Sequence, residues 1–289
     1  MNEFKISEIF YSAQGEGRFI GVPSVFFRTF GCNFKCAGFG LPRGEKTTEP
    51  DEIGKNVHQY KTFNDLPLVK TGCDSYASWH PAFKHLSPHY TIEESIAAML
   101  KLTPNHKWRQ KNGNDVHLVV TGGEPLLGWQ QLYPTLFSDP DMRDLNDITF
   151  ETNGTQMLHD DCYEYLLQDW TRFGRDADNL TFSVSPKIGS SGEEWSAAIK
   201  PAVVQQYQGI GHVYLKFVVE TIQDFDEVDQ AVSEFRAGGF GGQVYVMSVG
   251  GTDEAYFANN KNVAEQALAR GYRYSPRLHV DIWGNAWAT

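Results

Sequence analysis

Cys32 and Cys36 stand four positions apart in "GCNFKCAGFG", residues 31–40, and Phe39 occupies the place where a third thiol would complete a compact metal-binding loop. Two thiolates alone hold neither a tetrahedral metal nor an iron–sulfur cubane, so another soft ligand must come from elsewhere in the chain. Cys73, in "TGCDSYASW", is the natural third, provided that the residues between loop out and return. Three thiolates would leave one iron of a [4Fe-4S] cluster open to an outside ligand. The same three with His80 or His85 would equally hold a structural zinc, and buried thiols that merely pack are a third reading. Cys162, on an amphipathic helical pattern, reads as an ordinary packing residue.

A second candidate is "TGGEP", Thr121 to Pro125. Its glycines let the backbone come close to a ligand, and the Glu124 carboxylate suits an ammonium group. A tight strand-to-helix turn would use the same residues for geometry alone.

These motifs need elements to present them. "SVFFRTF" (24–30) is an apolar, aromatic run that reads as a buried strand and feeds into Gly31 and Cys32. Further strands are expected in 115–125, 147–155, 180–187, 213–220, 242–251 and 277–284, the last being "RLHVDIWG". "TIEESIAAMLKL" (91–102) opens with a capping box, Thr91 to Glu94, and repeats apolar residues at helical spacing. "CYEYLLQDW" and "NVAEQALARGY" are helix-like. Strands alternating with helices imply a parallel α/β sheet or barrel, in which chemistry gathers at the carboxyl ends of strands. The polar motifs all fall at such ends. Between Leu41 and Gly72 the chain turns polar and loses its apolar period, which reads as an excursion that has a job or is mobile.

Composition narrows the classes. With 289 residues and 41% hydrophobic content the chain can build an ordinary core. No run reaches the roughly 20 apolar residues of a membrane span, and "MNEFKISEIF" lacks the layout of a signal peptide, so a cytoplasmic protein is expected. A formal charge of -11 repels polyanions, which makes nucleic acid a poor partner. Four cysteines in a reducing compartment favour metal binding, catalysis or packing over disulfides.

Taken together in order, "YSAQGEGRFIGVPSVFFRTFGCNFKC" (11–36), "CDS" (73–75), "VTGGEP", "ETNGT", "VSPK" and "RLHV" resemble the radical S-adenosylmethionine enzymes, and within them the 7-carboxy-7-deazaguanine synthases. The likeness runs over most of the chain. It departs at Phe39, since the common loop of the superfamily is C-x3-C-x2-C. If "CDS" is the displaced end of that loop, residues 37–72 are an insertion within it and Phe39 is a packing residue.

The resemblance implies a single α/β domain, an incomplete barrel with helices outside. It implies a [4Fe-4S] cluster on Cys32, Cys36 and Cys73, and S-adenosylmethionine held through its methionine amino group by Gly122, Gly123 and Glu124. Asn153, Ser185 and Lys187 would lie around its ribose and carboxylate. The substrate would be 6-carboxy-5,6,7,8-tetrahydropterin, converted to 7-carboxy-7-deazaguanine with loss of ammonia in queuosine-type 7-deazapurine biosynthesis. Gln14 and Glu16 would face the pterin N–H groups, Arg28 and His279 would supply cations for its carboxyl group, and Gly15 and Thr121 would complete the site. Mg2+ would sit at Ser75 with Asp74 close by. An electron donor such as a flavodoxin and a homodimer are expected partners, with the Trp-bearing end "VDIWGNAWAT" at an interface or over the pocket. The rivals are a glycyl-radical activase, which leaves the "QGEG" turn and "RLHV" unused, and a zinc-stabilised binding module, which leaves "TGGEP" unused.

Overall fold

Alternate residues along the central strands have opposite characters, and this organises the molecule. In "HVYLKFVV" the residues Val213, Leu215, Phe217 and Val219 are buried in the main apolar core, whereas Lys216 and Val218 border a cavity. The same alternation places Leu118 and Val120 in the core and Thr121 at the cavity. A strand puts successive side chains on opposite faces. One face of the sheet is therefore packed against helices, and the other lines a polar interior.

The computed structural model describes residues 3–170 and 175–289. Among them, nine strands form one sheet: β1 (Glu3–Ala13), β2 (Pro23–Thr29), β3 (His89–Thr91), β4 (His117–Gly122), β5 (Ile148–Thr152), β6 (Leu180–Val184), β7 (His212–Val219), β8 (Gln243–Ser248) and β9 (Arg273–Tyr274). The order is β3-β1-β2-β4-β5-β6-β7-β8-β9, with β2 through β9 parallel and β1 antiparallel to both of its neighbours. The ends do not pair, so the barrel is incomplete, as expected. Helices Ile92–Leu102, Pro201–Gln208, Ile222–Ala237 and Asp253–Ala269 supply the outer layer of the core. The Thr91 capping box is present, with Thr91 Oγ1 accepting from the Glu94 N–H at 3.1 Å and Glu94 Oε2 accepting from the Thr91 N–H at 2.8 Å. Among the described residues no helix is long and apolar enough to cross a membrane.

Two features differ from the sequence reading. Residues 277–284 are not a strand: Leu278–Trp283 is a short helix ended by Gly284 in the left-handed conformation, φ 66°. Leu278, Val280 and Ile282 alternate as a strand would, but only Val280 is buried, and the last parallel strand is instead Arg273–Tyr274. β1, which no motif marks, pairs with β2 through a register shift between Ile6 and Glu8. That extra residue turns Glu8 toward Arg28 on the cavity side, a common use of a bulge beside a site.

The polar excursion is folded. It contains the helix Glu49–Lys55 and its own apolar cluster, in which Phe63, Leu66 and Val69 pack with Tyr76, Phe83 and Trp287. Arg43 fastens it to the barrel by pairing with Asp224 at 2.6 Å and Glu227 at 2.5 Å.

Candidate active site

The carboxyl ends of β2, β4, β5, β6, β7 and β8 surround one cavity, with the cysteine loop on one side and Arg277 and His279 on another. Cys32 follows β2 through Gly31, whose φ of 119° turns the chain sharply. Cys36 takes a left-handed φ of 50°, held by Glu193, whose Oε1 accepts from the N–H groups of Lys35 at 2.8 Å and Cys36 at 2.7 Å. The excursion leaves and returns across two backbone hydrogen bonds, from Thr47 N to Ala37 O at 2.8 Å and from Gly72 N to Phe39 O at 2.7 Å. Cys73 therefore comes back beside Cys32 and Cys36, in an apolar group with Phe34, Phe39 and Ala198. Phe39 is a packing residue there, and Cys162 lies buried in the main core.

Burial pushes the Cys32 thiol up to about 12, burial and Asp74 push Cys73 up to about 11, and burial raises Cys36 well above its ordinary value. Only a strongly cationic group would stabilise three thiolates in such a place. Among the described residues no three His, Cys, Asp or Glu side chains close on a point the size of one ion. The nearby imidazoles are turned elsewhere, with His80 Nε2 at 3.0 Å from Asp51 and His85 Nδ1 at 3.0 Å from the Ala82 carbonyl. Three soft donors at the edge of one cavity are residues that could hold a soft metal or an iron–sulfur group.

Gly123 packs directly under this loop. A Cβ there would lie 2.3 Å from the Gly31 carbonyl oxygen and 2.7 Å from Cys32 Cβ. Gly122 and Gly123 line the cavity, as do Asn153, Ser185 and Lys187. Lys187 Nζ donates to Ser185 Oγ at 3.0 Å, and Asn153 Nδ2 donates to Asn33 Oδ1 at 2.9 Å.

Glu124 behaves differently from the expectation. It is 0% exposed and does not border the cavity. Its Oε1 accepts from Leu126 N at 3.1 Å and Thr152 Oγ1 at 2.7 Å, and its Oε2 accepts from Asn153 N at 2.7 Å. Burial still pushes its carboxyl up to about 7. The side chain ties the ends of β4 and β5 together, and the part of this motif that lines the cavity is Gly122 and Gly123.

On the opposite side, Gln14 Nε2 donates to Glu151 Oε1 at 3.1 Å, and Thr121 Oγ1 donates to Glu151 Oε2 at 3.1 Å. Glu16 Oε2 pairs with Lys216 Nζ at 2.5 Å, and its Oε1 accepts from Arg277 Nε at 3.2 Å. Although burial opposes it, these two cations hold the Glu16 carboxyl well below the usual carboxylate range. Gly15 is required by close packing, since a Cβ there would fall 2.0 Å from His279 Nδ1. Burial pushes His279 down to about 4, against the pull of Glu16, which favours the neutral imidazole when no anion is bound beside it.

Arg28 Nε lies 3.1 Å from Glu8 Oε2 in an ion pair whose N–H is not aimed at the oxygen. Arg28 Nη1 donates to Ser75 Oγ at 3.0 Å, and Nη2 has no hydrogen-bond acceptor among the described residues. The Ser75 hydroxyl lies 3.3 Å from Asp74 Oδ1, while Asp74 Oδ2 accepts from Arg277 Nη2 at 2.8 Å. Oxygen donors of this kind suit magnesium, and each of them already faces a guanidinium.

Glu8, Glu151, Lys216 and Arg277 escaped the sequence reading, and each lines the cavity. Lys216 carried a signal, being a lone cation in an apolar strand, a residue type rarely buried without a partner. Glu151 and Arg277 stood inside the quoted motifs "ETNGT" and "RLHV".

No family model matches the chain. A 7-carboxy-7-deazaguanine synthase of Halobacterium salinarum is 31% identical over 97% of this chain and 91% of its own length. One of Pyrobaculum aerophilum is 27% identical over 98% and 96%. Among solved structures, that of QueE from Escherichia coli superposes with a TM-score of 0.54 at 18% identity, covering 96% of this chain and 95% of its own, a likeness of fold. With thiols, glycine turn and barrel rim in the arrangement described, and with a relative this similar over nearly its full length, the chain belongs to the 7-carboxy-7-deazaguanine synthase family.

Proposed function

We propose that this chain is a radical S-adenosylmethionine synthase that converts 6-carboxy-5,6,7,8-tetrahydropterin to 7-carboxy-7-deazaguanine with loss of ammonia. The observation that carries the reading is the return of Cys73 to Cys32 and Cys36 across thirty-six intervening residues, beside the Gly122–Gly123 turn. Cys32, Cys36 and Cys73 would hold a [4Fe-4S] cluster. When bound, the cluster and S-adenosylmethionine supply a carbon radical able to take a hydrogen from the substrate.

The protein's own groups bind and orient. The backbone of Gly122 and Gly123 would approach the methionine part of the cofactor, with Asn153, Ser185 and Lys187, which line the same cavity, as polar partners around it. Gln14 and Glu151 present acceptors to the N–H edge of a pterin, and their mutual hydrogen bond fixes the direction of both. Glu16 keeps its charge through Lys216 and Arg277 and adds a third acceptor. The free Nη2 of Arg28 suits the substrate carboxylate, since a guanidinium grips a carboxylate in a defined plane. Neutral His279 serves as a hydrogen-bonding partner at this end. The Ser75 hydroxyl and the Asp74 carboxylate beside it are the oxygen donors that would hold Mg2+, which would help to orient the substrate carboxylate.

A flavodoxin-like electron donor and a homodimeric assembly complete the proposal, in the cytoplasm and with no direct nucleic-acid contact, consistent with a charge of -11. The test is mass spectrometry of the product after anaerobically reconstituted protein is incubated with the carboxylated pterin, Mg2+, S-adenosylmethionine and a strong reductant. Formation of 7-carboxy-7-deazaguanine is expected. A protein that binds zinc and leaves S-adenosylmethionine intact would reject it.

A further inference from the structure

Trp79 follows Cys73 by six residues, at the end of the turn Tyr76–Ser78. With Cys32 and Cys73, it borders both the reaction cavity and a second cavity walled by Asn33, Lys35, Thr47 and His80. Its indole N–H is buried and has no acceptor in hydrogen-bonding geometry among the described residues. An indole nitrogen only donates, and burying a donor without an acceptor costs about 1–3 kcal/mol. Folded proteins rarely leave such a group, and those they do leave point to an unseen partner.

The protein side of the surroundings offers little. The His80 ring, 5.6 Å away centroid to centroid, is already engaged with Asp51 and with the Ala82 N–H. The thiols that share both cavity walls with Trp79 are those of Cys32 and Cys73. Sulfur is a weak acceptor as a thiol and a far better one as a thiolate or sulfide.

We propose that Trp79 is a positioning residue of the metal centre, its indole N–H donating a hydrogen bond to sulfur when Cys73 ligates the [4Fe-4S] cluster and thereby raising the cluster's reduction potential. The inference rests on the reading that the three thiols hold such a cluster. The direction follows from electrostatics: reduction adds negative charge to the sulfurs, and a donor aimed at them favours the reduced state.

Trp79→Phe keeps an aromatic wall and deletes only the donor. In the anaerobically reconstituted full chain, a redox titration followed by electron paramagnetic resonance is expected to give a more negative midpoint for Trp79→Phe. The shift should lower the reduced-to-oxidised ratio at fixed potential by about three- to tenfold, tenfold being about 59 mV for a one-electron couple. Electron–nuclear double resonance of the reduced wild type, grown with tryptophan labelled with nitrogen-15 at the indole, should show a nitrogen and an exchangeable proton coupled to the cluster. That measurement needs no variant, so it decides the matter even if Trp79→Phe fails to assemble. A cluster without that coupling, or a Trp79→Phe midpoint equal to that of the wild type, overturns the inference alone. A wild-type chain that takes up no iron and sulfide overturns it together with the reading beneath it.

Discussion

The N–H of Gly72 donates to the carbonyl of Phe39 at 2.7 Å, closing the excursion that separates Cys36 from Cys73. Gly72 reaches that position with φ +83°, and a Cβ on it would lie 2.5 Å from Thr47 Cγ2. Gly72→Ala should therefore strain the closure by about 1–3 kcal/mol. The expected result is a lower Tm and less iron and sulfide per chain after reconstitution. Full cluster content would show that Cys73 is placed without this contact.

Glu124→Gln separates a brace from a ligand. A glutamine has one acceptor oxygen where the carboxylate has two, and it would turn an NH2 group against existing donors. A loss of about 1–3 kcal/mol in unfolding free energy is expected, measured by denaturant titration. Affinity for S-adenosylmethionine, measured on the reconstituted protein, should fall less than in Gly123→Ala, where the added methyl collides with Gly31 and Cys32. The reverse ranking would return the Glu124 carboxylate to the binding surface.

Arg28 can be tested for its fork as well as its charge. Arg28→Lys keeps a cation near Glu8 but cannot present two parallel donors. Turnover of the carboxylated pterin, as kcat/KM, should drop roughly 10²- to 10³-fold, while iron content and cleavage of S-adenosylmethionine in the absence of substrate stay near wild type. Unchanged kcat/KM would remove Arg28 from the site.

His117 should make stability depend on pH. Its ring is 1% exposed with neither nitrogen hydrogen-bonded among the described residues, and burial pushes it from 6.5 down to about 3. Between these values the unfolded chain binds more protons than the folded one, so stability is greatest above 6.5 and is lost as pH falls toward 3. The loss approaches about 1.4 kcal/mol per pH unit from this group. His117→Leu should flatten the fall in unfolding free energy between pH 6.5 and 5, and leave the slope that His279, pushed down to about 4, contributes. Parallel curves for wild type and variant would mean that His117 is hydrated in the folded state.

Much of the site was legible because its chemistry is carried by residue type. Three thiols near one another in sequence invite a soft metal, and double glycines after a strand invite a close backbone approach. Lys216 and Arg277 were not legible as partners of Glu16, because 200 and 261 residues separate them and only the fold brings them together. The excursion hid its structure for a related reason. Its apolar residues follow no period, and its core is completed by Trp287, whose indole donates to the Leu66 carbonyl at 2.9 Å from the other end of the chain. The bracing of Glu124 by Leu126, Thr152 and Asn153 was not legible, because a carboxylate beside a cavity and one beneath it look alike in sequence. The 277–284 expectation failed because eight residues with three alternating apolar positions, Leu278, Val280 and Ile282, fit a short helix equally well.

The two-faced sheet leaves its strands almost no freedom of frame. In most antiparallel sheets one side meets solvent, where a misplaced apolar residue is tolerated. Here a single inserted or deleted residue within β7 would thrust Lys216 into hydrocarbon and deliver Leu215 and Phe217 to the chamber, defeating both sides at once. Length changes in this chain should therefore be confined to the connections between its strands and helices.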